Sequence, residues 1–96
     1  AGYKVKRLVV NPFERLSYQT HAHRSEHWSV VAGKATCVLD GVTSYAGPGD
    51  CIEVPLGAAH RIVNEQDEIL VVIEVQHGSY TGEDDIVRLH DDYGRS

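Results

Sequence analysis

The sequence predicts an all-β fold, a small antiparallel barrel or sandwich, and three observations predict it. Short runs rich in β-branched and aromatic residues follow one another along most of the chain. The gaps between them carry Gly, Pro, Asn and Asp, the residues that turns demand. No stretch before Gly82 keeps apolar residues at helical spacing. At 96 residues, the chain is expected to form one domain over 1–96, with a single core and room for one compact pocket.

Taken in order, Tyr3–Val10 ends at Asn11-Pro12, and Leu16–His21 follows. A bend at Arg24-Ser25 leads into Glu26–Ala32, and Gly33-Lys34 turns the chain into Ala35–Leu39. Asp40-Gly41 is the clearest tight hairpin and joins that run to Val42–Ala46. Gly47-Pro48-Gly49-Asp50 precedes Cys51–Val54, Pro55-Leu56-Gly57 precedes His60–Val63, and Asn64-Glu65-Gln66-Asp67 precedes Ile69–Gln76. The tail Asp84–Tyr93 differs. Ile86, Leu89 and Tyr93 recur at i, i+3 and i+7, acidic residues fill the first turn and Gly94 follows the end. A short C-terminal helix packed on the barrel is expected there, with its charge run as a solvated face.

Nine basic residues against fourteen acidic ones give a net charge of −5, which argues against nucleic acid or an anionic membrane as a partner. Much of that acidity lies in Glu83, Asp84, Asp85, Asp91 and Asp92, so the preceding chain is nearly balanced and a neutral or positive pocket is open to it. Cys37 and Cys51 lack a Cys-x-x-Cys spacing and read as reduced, buried thiols. There is no secretory signal, basic arm or apolar run near about twenty residues, so a soluble cytoplasmic protein is expected.

The residues that carry chemistry are His21, His23, Glu26 and His60. Histidines at i and i+2 of a strand share one face, Glu26 opens the next run, and His60 follows a Pro-x-Gly turn that fixes the backbone ahead of it. A lone His-x-His reads as surface decoration; three imidazoles and a carboxylate from separated segments have the composition of a divalent-metal site. Zinc, manganese, iron, cobalt and nickel all accept these donors. His27 lies on the opposite strand face from Glu26, and His77 and His90 fall in loop or tail, so all three read as solvated.

Two motifs resemble those of the cupin superfamily. Gly49, Pro55, Gly57, His60 and Asn64 match its second motif, Gly-x5-Pro-x-Gly-x2-His-x3-Asn, in full. His21, His23, Glu26 and Gly33 match the first motif, with Arg15 where a leading Gly is usual and a shortened gap between His23 and Glu26. Losing two residues from a bend preserves facing parity, so Glu26 is still expected to point inward. The resemblance implies a cupin barrel, the double-stranded β-helix or jelly roll, with the metal inside.

A closer resemblance runs along almost the whole chain. Val5-Lys6-Arg7-Leu8, Ser17-Tyr18-Gln19, His23-Arg24-Ser25-Glu26-His27-Trp28 and Gly78-Ser79-Tyr80-Thr81-Gly82-Glu83-Asp84-Asp85-Ile86-Val87-Arg88 are similar to the type II mannose-6-phosphate isomerase domain. Phe13 and Tyr18 stand where Gly and Leu are more usual, and the family's Arg-Pro-Trp-Gly segment would precede Tyr3. In that family the domain is often the C-terminal part of a bifunctional enzyme that also carries a mannose-1-phosphate guanylyltransferase.

The resemblance implies a metal-dependent aldose–ketose isomerase of a phosphorylated sugar, converting mannose-6-phosphate to fructose-6-phosphate. Such chemistry polarises a carbonyl, moves a proton between adjacent carbons and holds a phosphate. Arg24, between the ligands, is expected at the pocket rim as the planar fork for phosphate, and Gln19 is expected to face the pocket and meet a sugar hydroxyl. Lys34, Arg61 and Arg88 are weaker phosphate candidates, Arg61 pointing outward if His60 points in. Glu74 shares a face with Leu70, Val72 and Gln76 but reads equally as a rim ion pair, so no base is assigned. The runner-up is a non-catalytic sugar- or metal-binding cupin module, followed by an iron-dependent dioxygenase; a sugar-responsive transcription factor would need a helix-turn-helix segment, which is lacking. Exposed sheet edges predict a homodimer.

Overall fold

The computed structural model describes residues 2–20, 23–78 and 87–90. Among these are β1 (Gly2–Val10), β2 (Tyr18–Thr20), β3 (Arg24–Ala32), β4 (Ala35–Leu39), β5 (Val42–Ala46), β6 (Cys51–Val54), β7 (His60–Val63), β8 (Leu70–Gly78) and β9 (Val87–His90). They form a four-stranded sheet in the order β1-β8-β3-β6 and a five-stranded sheet in the order β5-β4-β7-β2-β9, with every pairing antiparallel. Val10, Trp28, Val30, Val54, Leu70 and Val72 from the first sheet meet Ala35, Cys37, Ala46 and Ile62 from the second in one buried cluster, so the sheets pack face to face.

The period of two decides what enters that interior. Along β3 and β8 the even-numbered residues are buried, from Arg24 to Val30 and from Leu70 to Gln76, and the odd-numbered residues between them face outward. Turn chemistry sets the registers. Asp40 and Gly41 both have positive φ, 47° and 80°, the backbone of a two-residue hairpin whose twist matches its strands, and Leu39 accordingly pairs with Val42. Asn64 closes the barrel at its apolar end: its buried amide donates to the carbonyls of Val10, Asn11 and Glu68 and accepts from Gln66 N, tying the end of β1 to the β7–β8 loop.

Two expectations are corrected. Val87–His90, inside the span predicted as helix, is a strand that pairs with β2; the remainder of that span, 84–86 and 91–93, lies outside the described residues. The open edge of β2 offers backbone partners that a weak local helical pattern cannot match. Cys37 is buried as expected, and burial pushes its thiol up to about 11, but Cys51 is exposed because it takes an outward position on β6. Among the described residues no helix is long and apolar enough to cross a membrane.

Candidate active site in the barrel interior

Three strands of the first sheet lay their inward residues side by side. The register runs Val30–Val72–Leu8 toward the apolar end, then Trp28–Glu74–Lys6, then Glu26–Gln76–Lys4, and Arg24–Gly78–Gly2 at the far edge. Each row is one ladder step, so a packed floor passes into a wall of charged and amide groups within two residues of every strand. From the opposite sheet His60 is buried and stands in register with Gln19, which places both on one face.

The side chains of these rows converge. Trp28 Nε1 donates to Glu26 Oε1 and to Glu74 Oε2, 3.1 Å from each, so one indole holds two buried carboxyl groups. Arg24 Nε donates to Glu26 Oε2 at 3.3 Å, and Gln76 Nε2 donates to Glu74 Oε1 at 2.6 Å. The His60 ring meets Trp28 edge-on at 5.5 Å. His60 Nδ1 lies 3.1 Å from Ala58 O, and a carbonyl only accepts, so Nδ1 carries the proton. His60 Nε2 then faces Glu26 Oε1 at 3.4 Å. In the neutral ring that contact opposes two lone pairs, and a proton or a metal cation at that point satisfies both.

Burial first, and then the neighbouring Glu26 charge, raise the Glu74 carboxyl from 4.5 to about 7. Between those values the folded chain keeps a proton that the unfolded chain has released. The resulting stabilisation is therefore complete below 4.5 and is lost as pH rises through about 7. Urea midpoints should fall between about pH 5 and about pH 8, and Glu74→Gln should flatten that fall. An unchanged slope in the variant would assign the titration to another group.

Glu26 and His60, two of the four expected ligands, are brought together. His23 lies at the bend before β3 with an exposed side chain, because the chain bends there rather than at Arg24-Ser25, and His21 lies outside the described residues. Among the described residues no three His, Cys, Asp or Glu side chains gather as a metal cage. Arg24 is not a rim group: β3 begins at Arg24, which puts it on the inward parity of Glu26 with 3% exposure and an ion pair to that carboxylate. Gln19 is half-buried, and its amide donates to Ser17 Oγ at 2.9 Å. Of the weaker candidates, Lys34 stacks over Tyr45 and Arg61 over Tyr18, while Arg88 falls on β9. Glu74 is interior rather than a rim ion pair, and Gln76, on the face expected to be shared with it, is buried beside it without a role assigned from the sequence. Their signal was polar identity at the inward parity of a core strand.

Outside the barrel, His27 pairs with Glu53 across β3 and β6, which raises its imidazole, and Cys51 faces Ser29 beside it. Hydrogen bonds from Ser29 and then His27 lower the Cys51 thiol.

This architecture, two antiparallel sheets closed around a polar interior site, defines a cupin-type double-stranded β-helix. A Cupin 2 conserved barrel domain protein from Salinispora arenicola superposes with a TM-score of 0.74 at 28% identity, over 82% of this chain and 66% of that one. A putative sugar phosphate isomerase from Acidithiobacillus ferrooxidans superposes with a TM-score of 0.71 at 26% identity, over 77% of this chain and 49% of that one. Residues 1–91 match the family described as Mannose-6-phosphate isomerase C-terminal, and the chain belongs to that family. A mannose-1-phosphate guanylyltransferase of Escherichia coli is 50% identical over 93 residues, 97% of this chain but 20% of that protein. The chain thus spans about a fifth of the length of the curated relatives it matches.

Proposed function

We propose that this chain is a metal-dependent aldose–ketose isomerase acting on a sugar phosphate, with mannose-6-phosphate and fructose-6-phosphate as the pair interconverted. The observation that carries the reading is the interior meeting of Glu26 Oε1 and His60 Nε2 with a second carboxyl, Glu74, on the same indole. The family description and the likeness to a sugar phosphate isomerase support it.

A divalent cation would be held by Glu26 and His60, whose facing lone pairs suit it. His21 and His23 are the further donors that the family resemblance implies, and the exposed side chain of His23 would have to turn inward to join them. When bound, it supplies Lewis acidity that favours negative charge on the sugar oxygens. The protein's own groups divide the remaining work. Ala58 O holds the His60 ring in the tautomer that presents Nε2 inward, and Arg24 and Trp28 fix the Glu26 carboxylate by one oxygen each. Glu74 lies beside that centre without belonging to the ligand set, and its carboxyl is the group placed to take a proton from one sugar carbon and return it to the next. The packed layer of Val30, Val72 and Leu8 closes the floor of the site against water from below.

Incubation of the chain with mannose-6-phosphate and a divalent metal should yield fructose-6-phosphate. Saturable binding without turnover would assign the chain to the non-catalytic modules instead. His60→Ala should lower metal occupancy by elemental analysis while circular dichroism keeps its strand signal; full retention of metal would remove His60 from the ligand set.

A further inference from the structure

A sugar phosphate brings a dianion into a chain whose own net charge is −5, so the site needs local cations. Arg24, the cation expected in that role, is buried against Glu26. On the inner face of the four-stranded sheet, the other cationic side chains are Lys4 and Lys6. They are half-buried at the inward parity of β1, opposite Gln76 and Glu74 respectively. Directly opposed residues on one sheet face have Cβ atoms roughly 5 Å apart, and a lysine stem can lie along the interior while its ammonium reaches the mouth. A second observation falls at the same place. Gln76 is 0% exposed, and while its amide nitrogen donates to Glu74, its Oε1 has no hydrogen-bond partner among the described residues. A buried acceptor without a donor is costly, and a hydroxyl group brought by a ligand would satisfy it.

We propose that Lys4, Lys6 and Gln76 form the subsite that seats a phosphorylated sugar: the two ammonium groups take the phosphate, and Gln76 Oε1 accepts a hydrogen bond from a sugar hydroxyl. The assignment builds on the isomerase reading and extends it to residues of β1 and β8. It sets the ligand along the row Glu26–Gln76–Lys4, with the phosphate toward β1 and the carbons to be isomerised toward Glu26 and His60.

Trp28 is the sole tryptophan and stands in the site, so its fluorescence reports binding without turnover. Titrations with mannose-6-phosphate and with mannose should give the phosphorylated sugar at least a tenfold advantage, about the value of one charge-assisted contact. Lys4→Met/Lys6→Met should erase that advantage and leave the mannose titration unchanged, and Lys4→Arg/Lys6→Arg should retain most of it. Gln76→Met should weaken both sugars by a similar factor. If the double methionine variant loses its strand signal, the single variants and added salt replace it: each substitution, and rising salt, should weaken mannose-6-phosphate alone. Equal affinity of the unsubstituted chain for the two sugars would overturn the proposal. So would mannose-6-phosphate affinity kept within about twofold in a folded lysine variant. Lysine-dependent binding with no fructose-6-phosphate formed would sustain the subsite and remove the isomerase reading.

Discussion

Gly78→Ala is expected to destabilise the protein by about 4 kcal/mol, among the largest effects a single methyl group can have here. A Cβ at position 78 would stand 2.1 Å from His23 O, 2.7 Å from Arg24 Cα and 3.0 Å from His23 C. All three are main-chain atoms, so no side chain can swing aside to make room. Relief requires that the end of β8 separate from the start of β3, where Gly78 pairs with Arg24. The consequence reaches the site. Arg24 is held inward by that pairing, and a displaced β3 start draws its guanidinium away from Glu26. Urea denaturation should show the loss of stability, and any folded fraction should bind metal more weakly. A variant within roughly 0.5 kcal/mol of the parent would mean that the two strands do not approach this closely.

The role of Gly78 was not legible in the sequence, whereas much of the surrounding frame was. β4, β5, β6 and β7 have the bounds expected from their flanking Gly, Pro and Asp-Gly turns, because those residues end strands by backbone conformation alone. The inward position of His60 was legible for the same reason, since a turn defines the start of β7, whereas that of Glu26 followed from strand parity alone. Arg24 departs from its expected rim position because the β3–β8 ladder continues past the bend expected at Arg24-Ser25, and two further residues of pairing make it a buried cation. That choice is made by tertiary pairing, which no local pattern encodes. The same holds for Val87–His90, where the partner offered by β2 overrides a marginal helical spacing. Lys4, Lys6, Glu74 and Gln76 were visible as polar residues alternating with apolar ones. Their meaning required knowing that β1 and β8 are neighbours, which places the four opposite one another in two adjacent rows. A core strand that spends inward positions on polar groups departs from what packing alone would select, and such departures concentrate where function is built.

Glu26→Gln is the second large effect expected, and it separates chemistry from packing because the side chain keeps its size. In the parent, the carboxylate binds several neighbours at once: Oε2 faces Arg24, Oε1 receives the Trp28 indole and faces His60 Nε2, and the Glu74 carboxyl is hydrogen-bonded to it. An amide can still accept from the indole, but it removes the charge that Arg24 meets in an interior where its side chain is 2% exposed. Removing one member of a buried ion pair costs about 3 kcal/mol or more, since the remaining charge has been taken out of water. The neighbouring titration should respond in the opposite sense. Part of the upward pressure on Glu74 comes from the Glu26 charge, so in the variant its carboxyl should move down from about 7 toward its ordinary range. Ionised Glu74 can then offset some of the lost attraction, and the stability deficit should be larger at about pH 5 than at about pH 8. The proposed isomerisation has no such substitute. The amide offers His60 no second anionic donor for a shared cation, and a fall in turnover of at least about a thousandfold is expected, with mannose-6-phosphate still bound through the β1 and β8 residues. Turnover reduced by less than about tenfold in a folded Glu26→Gln protein would show that the carboxylate is structural, and would move the reaction centre away from the Glu26–His60 meeting point.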